Sequence, residues 1–457
     1  MSHVMDQGQA LRDTLREVVG AGHVLDDPSL TAQYETDWTG RFGGRASLVV
    51  RPASVAEVAE VVVACAAAGA PIVPQGGNTG LVGGGVPTGG GEVVVSLTRL
   101  SEIGPVDPAL GLVPVGAGVT LAALQEAART AGFDAGLDFA ARDSCTIGGV
   151  VACDAGGARA LRHGTARGRV TGLEAVLADG SVITRMAGLA KDNAGYDLPS
   201  LLVGSEGTLA IVTRVLWKLE PRRDARVAAL VPLPSAGAAA ALLAALRAEA
   251  PSLESCDFFL DEGLRLVLSH LRRSSPLPEP APVYVLAECA GRVDPTDELV
   301  AALDRAGIED AVIADDTVSR ERLWALRESH ADAINAAGVP HKLDVGVPLA
   351  ELGPFLEAVT AAVGAFGARP ILFGHLGDGN VHVNLLGPDA DDERADDAVL
   401  QLVLDHGGTI SAEHGVGIAK ARWLERARGA AEVAAMRSVK SALDPRGLLN
   451  PGKLLPS

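Results

Sequence analysis

The sequence of 457 residues is short of positive charge and of long apolar runs. Its formal net charge is −18, and lysine and arginine form no tail or stripe, which argues against nucleic acid as a partner. The longest apolar stretch, residues 236–246, ends at Arg247 and is too short to cross a bilayer, so no transmembrane segment is expected. The N-terminus has no basic region followed by an apolar run, so no signal peptide is expected either.

Cysteine is also scarce, since the 5 cysteines are scattered and form no Cys-x-x-Cys pair. A disulfide framework and a thiolate zinc site are therefore not expected. Together with the missing signal peptide, this composition predicts a cytoplasmic protein.

The sequence does contain enough apolar material for more than one domain. With 48% hydrophobic and 21% charged residues it is typical of a globular chain, and its length predicts two or three domains. Residues 54–57 form a capping-box pattern that predicts a helix to about residue 68, and Asp-Gly at residues 179–180 predicts a hairpin turn. The pattern breaks at residues 220–223, where we place the main domain boundary.

The second half of the sequence alternates strands and helices, including a long helix predicted at residues 319–337. This alternation predicts a sheet with helices on one face, so the chain is assigned to the α+β class with two domains. The last residues, 441–457, are rich in turns. An ending of this kind is ordered only if it docks on the remainder of the protein.

A glycine-rich loop follows the strand predicted at residues 71–74. Its core, residues 76–80, reads Gly-Gly-Asn-Thr-Gly. Glycine lets consecutive backbone N–H groups line a concave anion site, and Asn78 and Thr79 can add side-chain donors. The loop fits neither the Walker pattern nor the Rossmann spacing, which disfavours ATP chemistry and ordinary NAD binding. The alternative is a flexible hairpin tip.

A second group of reactive side chains lies at residues 374–384 and 413–414. His375, His382 and Glu413 offer two imidazoles and one carboxylate, a set that suits Zn²⁺, Mn²⁺ or Fe²⁺ with positions left for a substrate. The spacing is not a standard motif. Hydrogen-bonded core or cap histidines are therefore the alternative.

Neighbouring side chains could bind an acid substrate. Strand alternation places His382 and Asn384 on one face, so Asn384 could hydrogen-bond the same substrate, unless it is a strand end that faces solvent. Arg327 on a predicted helix and Lys342 at the start of a strand are cations that could bind a carboxylate. For each cation the residues alone favour a surface ion pair, which for Arg327 would be with a carboxylate of its own helix.

Taken in order, these motifs resemble one flavoprotein family. Residues 34–38 and the Gly-Gly-Asn-Thr-Gly form of the loop are most similar to D-2-hydroxyglutarate dehydrogenases. The segments that resemble the p-cresol methylhydroxylase (PCMH) and vanillyl-alcohol oxidase type of FAD domain are residues 74–84, 144–149, 154–157, 191–197 and 204–209. The segments that resemble its D-lactate, glycolate and D-2-hydroxyglutarate dehydrogenase branch are residues 374–384, 413–417 and 450–453.

The resemblance implies a PCMH-type FAD-binding domain at residues 1–221, a substrate and metal cap domain at residues 222–440, and a tail, residues 441–457, that returns to the FAD domain. His163 lies outside the loop motifs, so noncovalent FAD is expected. The implied FAD contacts are Pro74, Gly76, Gly77, Asn78, Thr79 and Gly80 at the diphosphate, Ser144, Gly148, Gly149 and Gly156 at the flavin and ribityl side, Glu206, Gly207 and Ile211 at the adenosine, and Asn450 at the flavin ring.

The same resemblance implies roles around the second group. His375, His382 and Glu413 match the family's metal ligands, with Zn²⁺ as the expected ion. His414 matches the base that takes the proton of the substrate hydroxyl while hydride passes to flavin N5. The implied substrate contacts are Arg327, Lys342, Asn384 and His414.

The sequence is therefore interpreted as an FAD-dependent D-2-hydroxy acid dehydrogenase, with D-2-hydroxyglutarate as the favoured substrate. Ala331 stands where D-2-hydroxyglutarate dehydrogenases carry a threonine, so D-lactate or glycolate is the alternative. Two further alternatives are a flavin subunit of an electron-transfer complex and a metal-binding protein without redox chemistry. Expected partners are the hydroxy acid and an electron acceptor, which can be an electron-transfer flavoprotein, a quinone or a cytochrome, and a homodimer is an option.

Overall fold

The computed structural model describes the backbone of residues 2–455 and the side chains of residues 8–455. In this part of the chain the helices are α1 (Ser2–Val19), α2 (Pro28–Glu35), α3 (Val55–Ala68), α4 (Leu121–Thr130), α5 (Ile147–Cys153), α6 (Ala160–His163), α7 (Leu198–Leu202), α8 (Ala236–Glu249), α9 (Asp261–Leu271), α10 (Thr296–Arg305), α11 (Thr317–Glu328), α12 (His330–Ala337), α13 (Leu352–Val363), α14 (Arg394–Asp405), α15 (Leu424–Arg428) and α16 (Ala430–Leu443). The strands are β1 (Val24–Leu25), β2 (Leu48–Val50), β3 (Ile72–Gln75), β4 (Val93–Ser96), β5 (Leu112–Gly116), β6 (Phe133–Asp134), β7 (Val170–Val176), β8 (Val182–Arg185), β9 (Ile211–Lys218), β10 (Glu220–Pro221), β11 (Ala225–Leu233), β12 (Leu253–Leu260), β13 (Val283–Gly291), β14 (Val312–Ala314), β15 (His341–Gly346), β16 (Arg369–His375) and β17 (Asn380–Leu386).

The chain splits into two compact units, each built from separate segments. The first unit consists of Met1–Ala155, Thr165–Pro221 and Glu413–Ser457, and the second consists of Gly156–Gly164 and Arg222–Ala412. The sequence interpretation assigns residues 156–164 to the FAD domain and residues 413–440 to the cap. In the structure each of these two segments belongs to the other unit.

The first unit holds two four-stranded sheets. One has the order β1-β2-β4-β3 with parallel pairing of β4 to β2 and β3, and the other has the antiparallel order β5-β9-β7-β8. The predicted capping box at the start of α3 is confirmed, because Ser54 Oγ accepts the N–H of Glu57 at 3.2 Å and the Glu57 carboxylate accepts the N–H of Ala53 at 2.7 Å. The predicted hairpin between β7 and β8 is also confirmed, and Gly180 at φ +85° makes its turn.

The C-terminal tail is held along β3 of the first unit. Ile72 donates its N–H to the Leu448 carbonyl at 2.8 Å, and its own carbonyl accepts the N–H of Asn450 at 2.7 Å. The Lys440 ammonium group donates to the Leu449 carbonyl at 2.8 Å. These hydrogen bonds dock the turn-rich C-terminal segment on the first unit, which explains why the segment is ordered.

The second unit is built on one seven-stranded antiparallel sheet with the order β14-β11-β13-β12-β16-β17-β15. Strands β12 and β13 are buried along nearly their whole length, which requires cover on both faces. Helices α9, α11 and α12 share one core cluster with Ala228 and Leu230 of β11. Helices α8 and α13 also pack on this sheet, but their buried residues do not belong to that cluster. These two helices therefore cover the opposite face of the sheet. The expectation of helices on one face is therefore wrong.

The long helix predicted at residues 319–337 is interrupted at Ser329, between α11 and α12. The cause lies in the next residue, His330, whose ring is fully buried with its centroid 5.2 Å from that of Phe259 and 4.7 Å from that of Phe373. Tertiary packing of this ring has overridden the local helical pattern.

One segment, Leu349–Phe366, is long and apolar enough to cross a membrane by length and composition, with a mean hydropathy of 1.4. It contains α13, whose Leu352, Phe355 and Val359 are fully buried. Core helices meet the same criteria, so the segment is weak evidence for a membrane span.

Glu92 of the first unit is a buried carboxylate at the start of β4. It accepts the backbone N–H groups of Thr88, Gly89 and Gly91 at 2.9, 2.6 and 3.0 Å. Burial raises the pKa of Glu92, but these hydrogen bonds outweigh burial and lower the pKa to about 2.

We expect Glu92→Gln to lower the free energy of unfolding by about 1 to 3 kcal/mol at pH 7, because the neutral amide loses hydrogen bonds that the carboxylate accepts. A carboxylate with a depressed folded pKa stabilises fully above its unfolded pKa of about 4.3, and the effect fades as the pH falls towards the folded value. Urea unfolding of both proteins at pH 7, 5 and 3 should therefore give a difference that shrinks at low pH. A difference independent of pH would contradict this.

Candidate active site

Strands β16, β17 and β15 bring polar side chains to one face of the second unit's sheet. In the antiparallel register His382 lies opposite Asp344, and Asn384 lies opposite Lys342. The ring centroids of His375 and His382 are 5.3 Å apart. Because residues directly opposite each other project from the same face, the predicted ligands and substrate contacts of this unit form one group.

A carboxylate lies near the Nδ1 atom of each imidazole. His375 Nδ1 lies 2.9 Å from Asp257 Oδ1, and His382 Nδ1 lies 3.7 Å from Asp344 Oδ1. Both aspartates are almost fully buried. A hydrogen bond at Nδ1 leaves Nε2 as the atom of His375 that can bind a metal.

Arg327, in the last turn of α11, points into the same group. Its Nε lies 2.7 Å from Asp257 Oδ2, and its guanidinium carbon lies 4.6 Å from the centroid of the Phe373 ring. The expected surface pair with a carboxylate of its own helix is therefore wrong, since its partner is a buried residue of β12. In the part of the chain that the structure describes, the two terminal Nη groups of Arg327 make no hydrogen bond or ion pair.

Asn384 and Lys342 flank the imidazoles. Asn384 is only 5% exposed, and its Nδ2 donates to the Ile371 carbonyl at 3.4 Å, so the alternative of a solvent-facing strand end is wrong. Burial lowers the pKa of Lys342, with Asp332 acting in the opposite direction. The group thus combines two cations and an amide with the two imidazoles.

Asp257 and His330 belong to this group and were missed by the sequence analysis. His330 Nδ1 lies 3.1 Å from the Arg327 carbonyl, and burial lowers the pKa of His330 to about 3, so the ring is neutral at pH 7. Glu254, Ser255 and Asp257 interrupt the apolar pattern of β12, so no local pattern in the sequence marked Asp257.

In the first unit the glycine loop packs on residues 144–146. A Cβ on Gly77 would lie 1.8 Å from the Ser144 carbonyl oxygen, and one on Gly76 would lie 2.2 Å from Thr146 Oγ1. The strands flanking the loop, β3 and β4, pair in parallel, so the hairpin alternative is wrong. Close backbone approach explains both glycines.

Two buried polar atoms beside this loop fit a bound polar group such as a cofactor. Thr146 Oγ1 and Asn450 Oδ1 have no hydrogen-bond partner among the described residues, and buried polar atoms normally have one. The Asn78 side chain is used within the fold, because its Nδ2 donates to the Thr36 carbonyl at 2.8 Å. A cofactor here would thus meet the Asn78 backbone, the Thr146 hydroxyl and the Asn450 amide oxygen.

Glu206 ties three segments of the first unit together. Its carboxylate accepts the N–H groups of Val416 and Gly417, each at 2.8 Å, and its carbonyl accepts Asn450 Nδ2 at 2.7 Å. The carboxylate therefore fixes the loop that begins with Glu413 and His414. Its backbone N–H donates to the Ala152 carbonyl at 2.8 Å, so both its backbone groups are also used within the fold, and the predicted adenosine contact of Glu206 stays a prediction.

The other FAD contacts that the resemblance implies stay predictions. Gly207, at φ +69°, packs on Pro74. The remaining residues lie in the loop after β3 (Thr79 and Gly80), before and within the first turn of α5 (Ser144, Gly148 and Gly149), at the first residue of β9 (Ile211) and in the second unit (Gly156).

Glu413 and His414 open the segment of the first unit that follows directly on the second. The preceding residue, Ala412, belongs to the second unit, where its N–H donates to Asp344 Oδ2 at 3.1 Å. The chain therefore leaves the second unit beside the carboxylate that faces His382.

Two family models match this chain. One is described as an FAD binding domain and covers residues 46–185, and the other as the C-terminal domain of FAD linked oxidases and covers residues 222–454. The chain is 38% identical over 461 residues to D-2-hydroxyglutarate dehydrogenase of Xanthomonas citri pv. viticola, with 96% of each chain covered. It is 35% identical over 452 residues to mitochondrial D-2-hydroxyglutarate dehydrogenase of Arabidopsis thaliana, with 96% of this chain and 80% of that protein covered.

Two solved structures with a similar fold are an oxidase and a hydroxylase. The 4-ethylphenol oxidase from Gulosibacter chungangensis has a TM-score of 0.78 at 19% identity, with 99% of this chain and 98% of that chain covered. The p-cresol methylhydroxylase has a TM-score of 0.78 at 17% identity, with 99% and 97% covered. The expected PCMH-type two-domain fold is thereby confirmed.

We expect Gly77→Ala to abolish FAD binding, because its Cβ would collide with the Ser144 carbonyl and displace the loop. Gly91→Ala is the matched control, since Gly91 is exposed and a Cβ there meets nothing within 4 Å. The measurement is the ratio of flavin to protein absorbance after purification. A full flavin complement in Gly77→Ala would show that the loop does not hold the cofactor.

Proposed function

We propose that this chain, which belongs to the family of FAD-linked D-2-hydroxy acid dehydrogenases, oxidises D-2-hydroxyglutarate to the corresponding 2-oxo acid. The observation that carries the proposal is the pair of cations, Arg327 and Lys342, on the face that presents His375 and His382. A dicarboxylate has one carboxylate for each cation. A substrate with a single carboxylate, such as D-lactate, would present a carboxylate to only one of the two cations.

In this proposal each side chain has a definite task. The Nη groups of Arg327 bind one substrate carboxylate in two-point fashion, and Lys342 binds the other. The side-chain amide of Asn384 hydrogen-bonds the substrate, and His414 accepts the proton of the C2 hydroxyl. FAD, when bound, would supply the two-electron oxidation of the substrate at C2.

We further propose that His375, His382 and Glu413 hold a divalent cation, with Zn²⁺ first and Mn²⁺ or Fe²⁺ as alternatives. Two imidazoles and a carboxylate are a common donor set for these ions. The Nδ1 contact of His375 and the anchored amide of Ala412, one residue before Glu413, support this assignment. The ion would supply positive charge that lowers the pKa of the substrate hydroxyl.

Further proposals concern the FAD linkage, the location, the electron acceptor and the assembly of the enzyme. FAD is bound noncovalently and the enzyme is cytoplasmic. An electron-transfer flavoprotein, a quinone or a cytochrome reoxidises the flavin, and the enzyme acts without nucleic acid. A homodimer is the proposed assembly.

The substrate is tested by anaerobic mixing and by one variant. We expect D-2-hydroxyglutarate to bleach the flavin absorbance faster than D-lactate. We expect Lys342→Met to raise KM for D-2-hydroxyglutarate about tenfold or more, because it removes a charged hydrogen bond, and to change KM for D-lactate less than about twofold. Faster bleaching by D-lactate, with equal effects of the variant on both acids, would favour a D-lactate dehydrogenase.

The metal is tested by its retention. We expect His382→Ala to lose the divalent ion while it keeps FAD, because the first unit is unaltered. His406→Ala is the control, since His406 is a histidine of the same unit that pairs with Glu351. Elemental analysis after gel filtration measures the ion. Equal metal content in both variants would contradict the proposed ligand set.

A further inference from the structure

Asp257 contacts both a proposed metal ligand and the proposed substrate arginine. Its Oδ1 lies 2.9 Å from His375 Nδ1, and its Oδ2 lies 2.7 Å from Arg327 Nε. Each oxygen therefore serves a different function of the site.

The position of Asp257 is set by the fold. It lies directly opposite His375 in the register of β12 with β16, and it is 1% exposed. The next two residues, Phe258 and Phe259, are fully buried. A carboxylate so far from water is stable only when charged or hydrogen-bonding partners hold it, and His375 and Arg327 are those partners.

Each contact has a chemical consequence. A hydrogen bond at Nδ1 fixes the ring orientation and tautomer of His375 so that Nε2 carries the lone pair for a metal. A contact at Nε fixes the plane of the Arg327 guanidinium and presents both Nη groups together, which is the geometry that a carboxylate recognises.

We propose that Asp257 is a positioning residue that orients the metal ligand His375 and the substrate-binding Arg327 at the same time. This inference rests on the proposed function. It predicts that one substitution, at a residue that touches neither the metal nor the substrate, weakens the binding of both. A residue with a merely structural role would lower stability without changing both affinities.

The test uses the full-length, FAD-loaded protein and Asp257→Asn, which keeps the size of the side chain and removes its charge. We expect the affinity of the metal-free protein for Zn²⁺, measured by calorimetry, to fall about 10- to 100-fold. At saturating Zn²⁺ we expect KM for D-2-hydroxyglutarate to rise about tenfold, with a smaller change in kcat, because the second effect acts through Arg327.

The matched control is Asp396→Asn. Asp396 is also a buried carboxylate that lies 2.9 Å from the Nδ1 of a histidine, His341, in the same unit. Neither residue belongs to the proposed ligand set, so Zn²⁺ affinity and KM should each change less than about twofold. Asp257→Glu is the second variant, because it keeps the charge that the buried partners need but displaces the carboxylate. We expect it to weaken both affinities by an intermediate factor, and it carries the test if Asp257→Asn does not fold.

The outcomes separate this inference from the proposed function. A wild-type protein that binds no divalent ion and is not reduced by any 2-hydroxy acid would overturn the proposed function. A wild-type protein that does both, with Asp257 variants indistinguishable from Asp396→Asn, would overturn the role of Asp257 alone. Loss of only one of the two affinities would also overturn it, because the inference requires both.

Discussion

The antiparallel register of β12, β16, β17 and β15 is the constraint on which the chemistry of the second unit depends. It sets Asp257 opposite His375, His382 opposite Asp344, and Lys342 opposite Asn384. A slip of one residue in any of these pairings would turn a side chain to the opposite face of the sheet, where the helices α8 and α13 pack. The side chains of the site are thus positioned by hydrogen-bonded strands, which are more rigid than a loop.

The charged side chains that this register brings together are buried, which strengthens their interactions. Asp257, Asp344 and Arg327 are each less than a tenth exposed, so their interactions are weakly screened by water. Burial alone would raise the pKa of Asp257, but His375 and Arg327 lower it below its usual range. The anion therefore persists at neutral pH, and the aromatic ring of Phe373 covers the guanidinium that faces it.

The sequence predicted the parts of this fold whose signals are local. The capping box of α3 and the hairpin turn at Gly180 depend on neighbouring residues, and both are present. The FAD-domain architecture followed from the resemblance of several motifs, in order, to a known flavoprotein family. The interruption at Ser329 and the second helical layer on the sheet depend on packing between distant segments, so no local pattern predicted them.

The same distinction applies to the site. His375, His382 and Asn384 lie close together in the sequence and could be recognised as a group. Asp257 lies 118 residues before His375, on a strand that the hydrophobic pattern did not reveal, and its role appears only when β12 pairs with β16. The predicted partner of Arg327 was wrong for the same reason. Carboxylates on its own helix are close to Arg327 in the sequence, whereas Asp257 approaches it only in the folded protein.

The discontinuous first unit has a consequence for biosynthesis. Its last strand-like contact, Leu449 alongside Ile72, joins positions at opposite ends of the chain, and Asn450 reaches Gly84 and Glu206. Synthesis must therefore proceed beyond residue 450 before this unit can close. The second unit is nearly continuous and can fold earlier as translation proceeds. The first unit is consequently completed later in synthesis than the second, and a chain truncated before residue 448 would lack its closing segment.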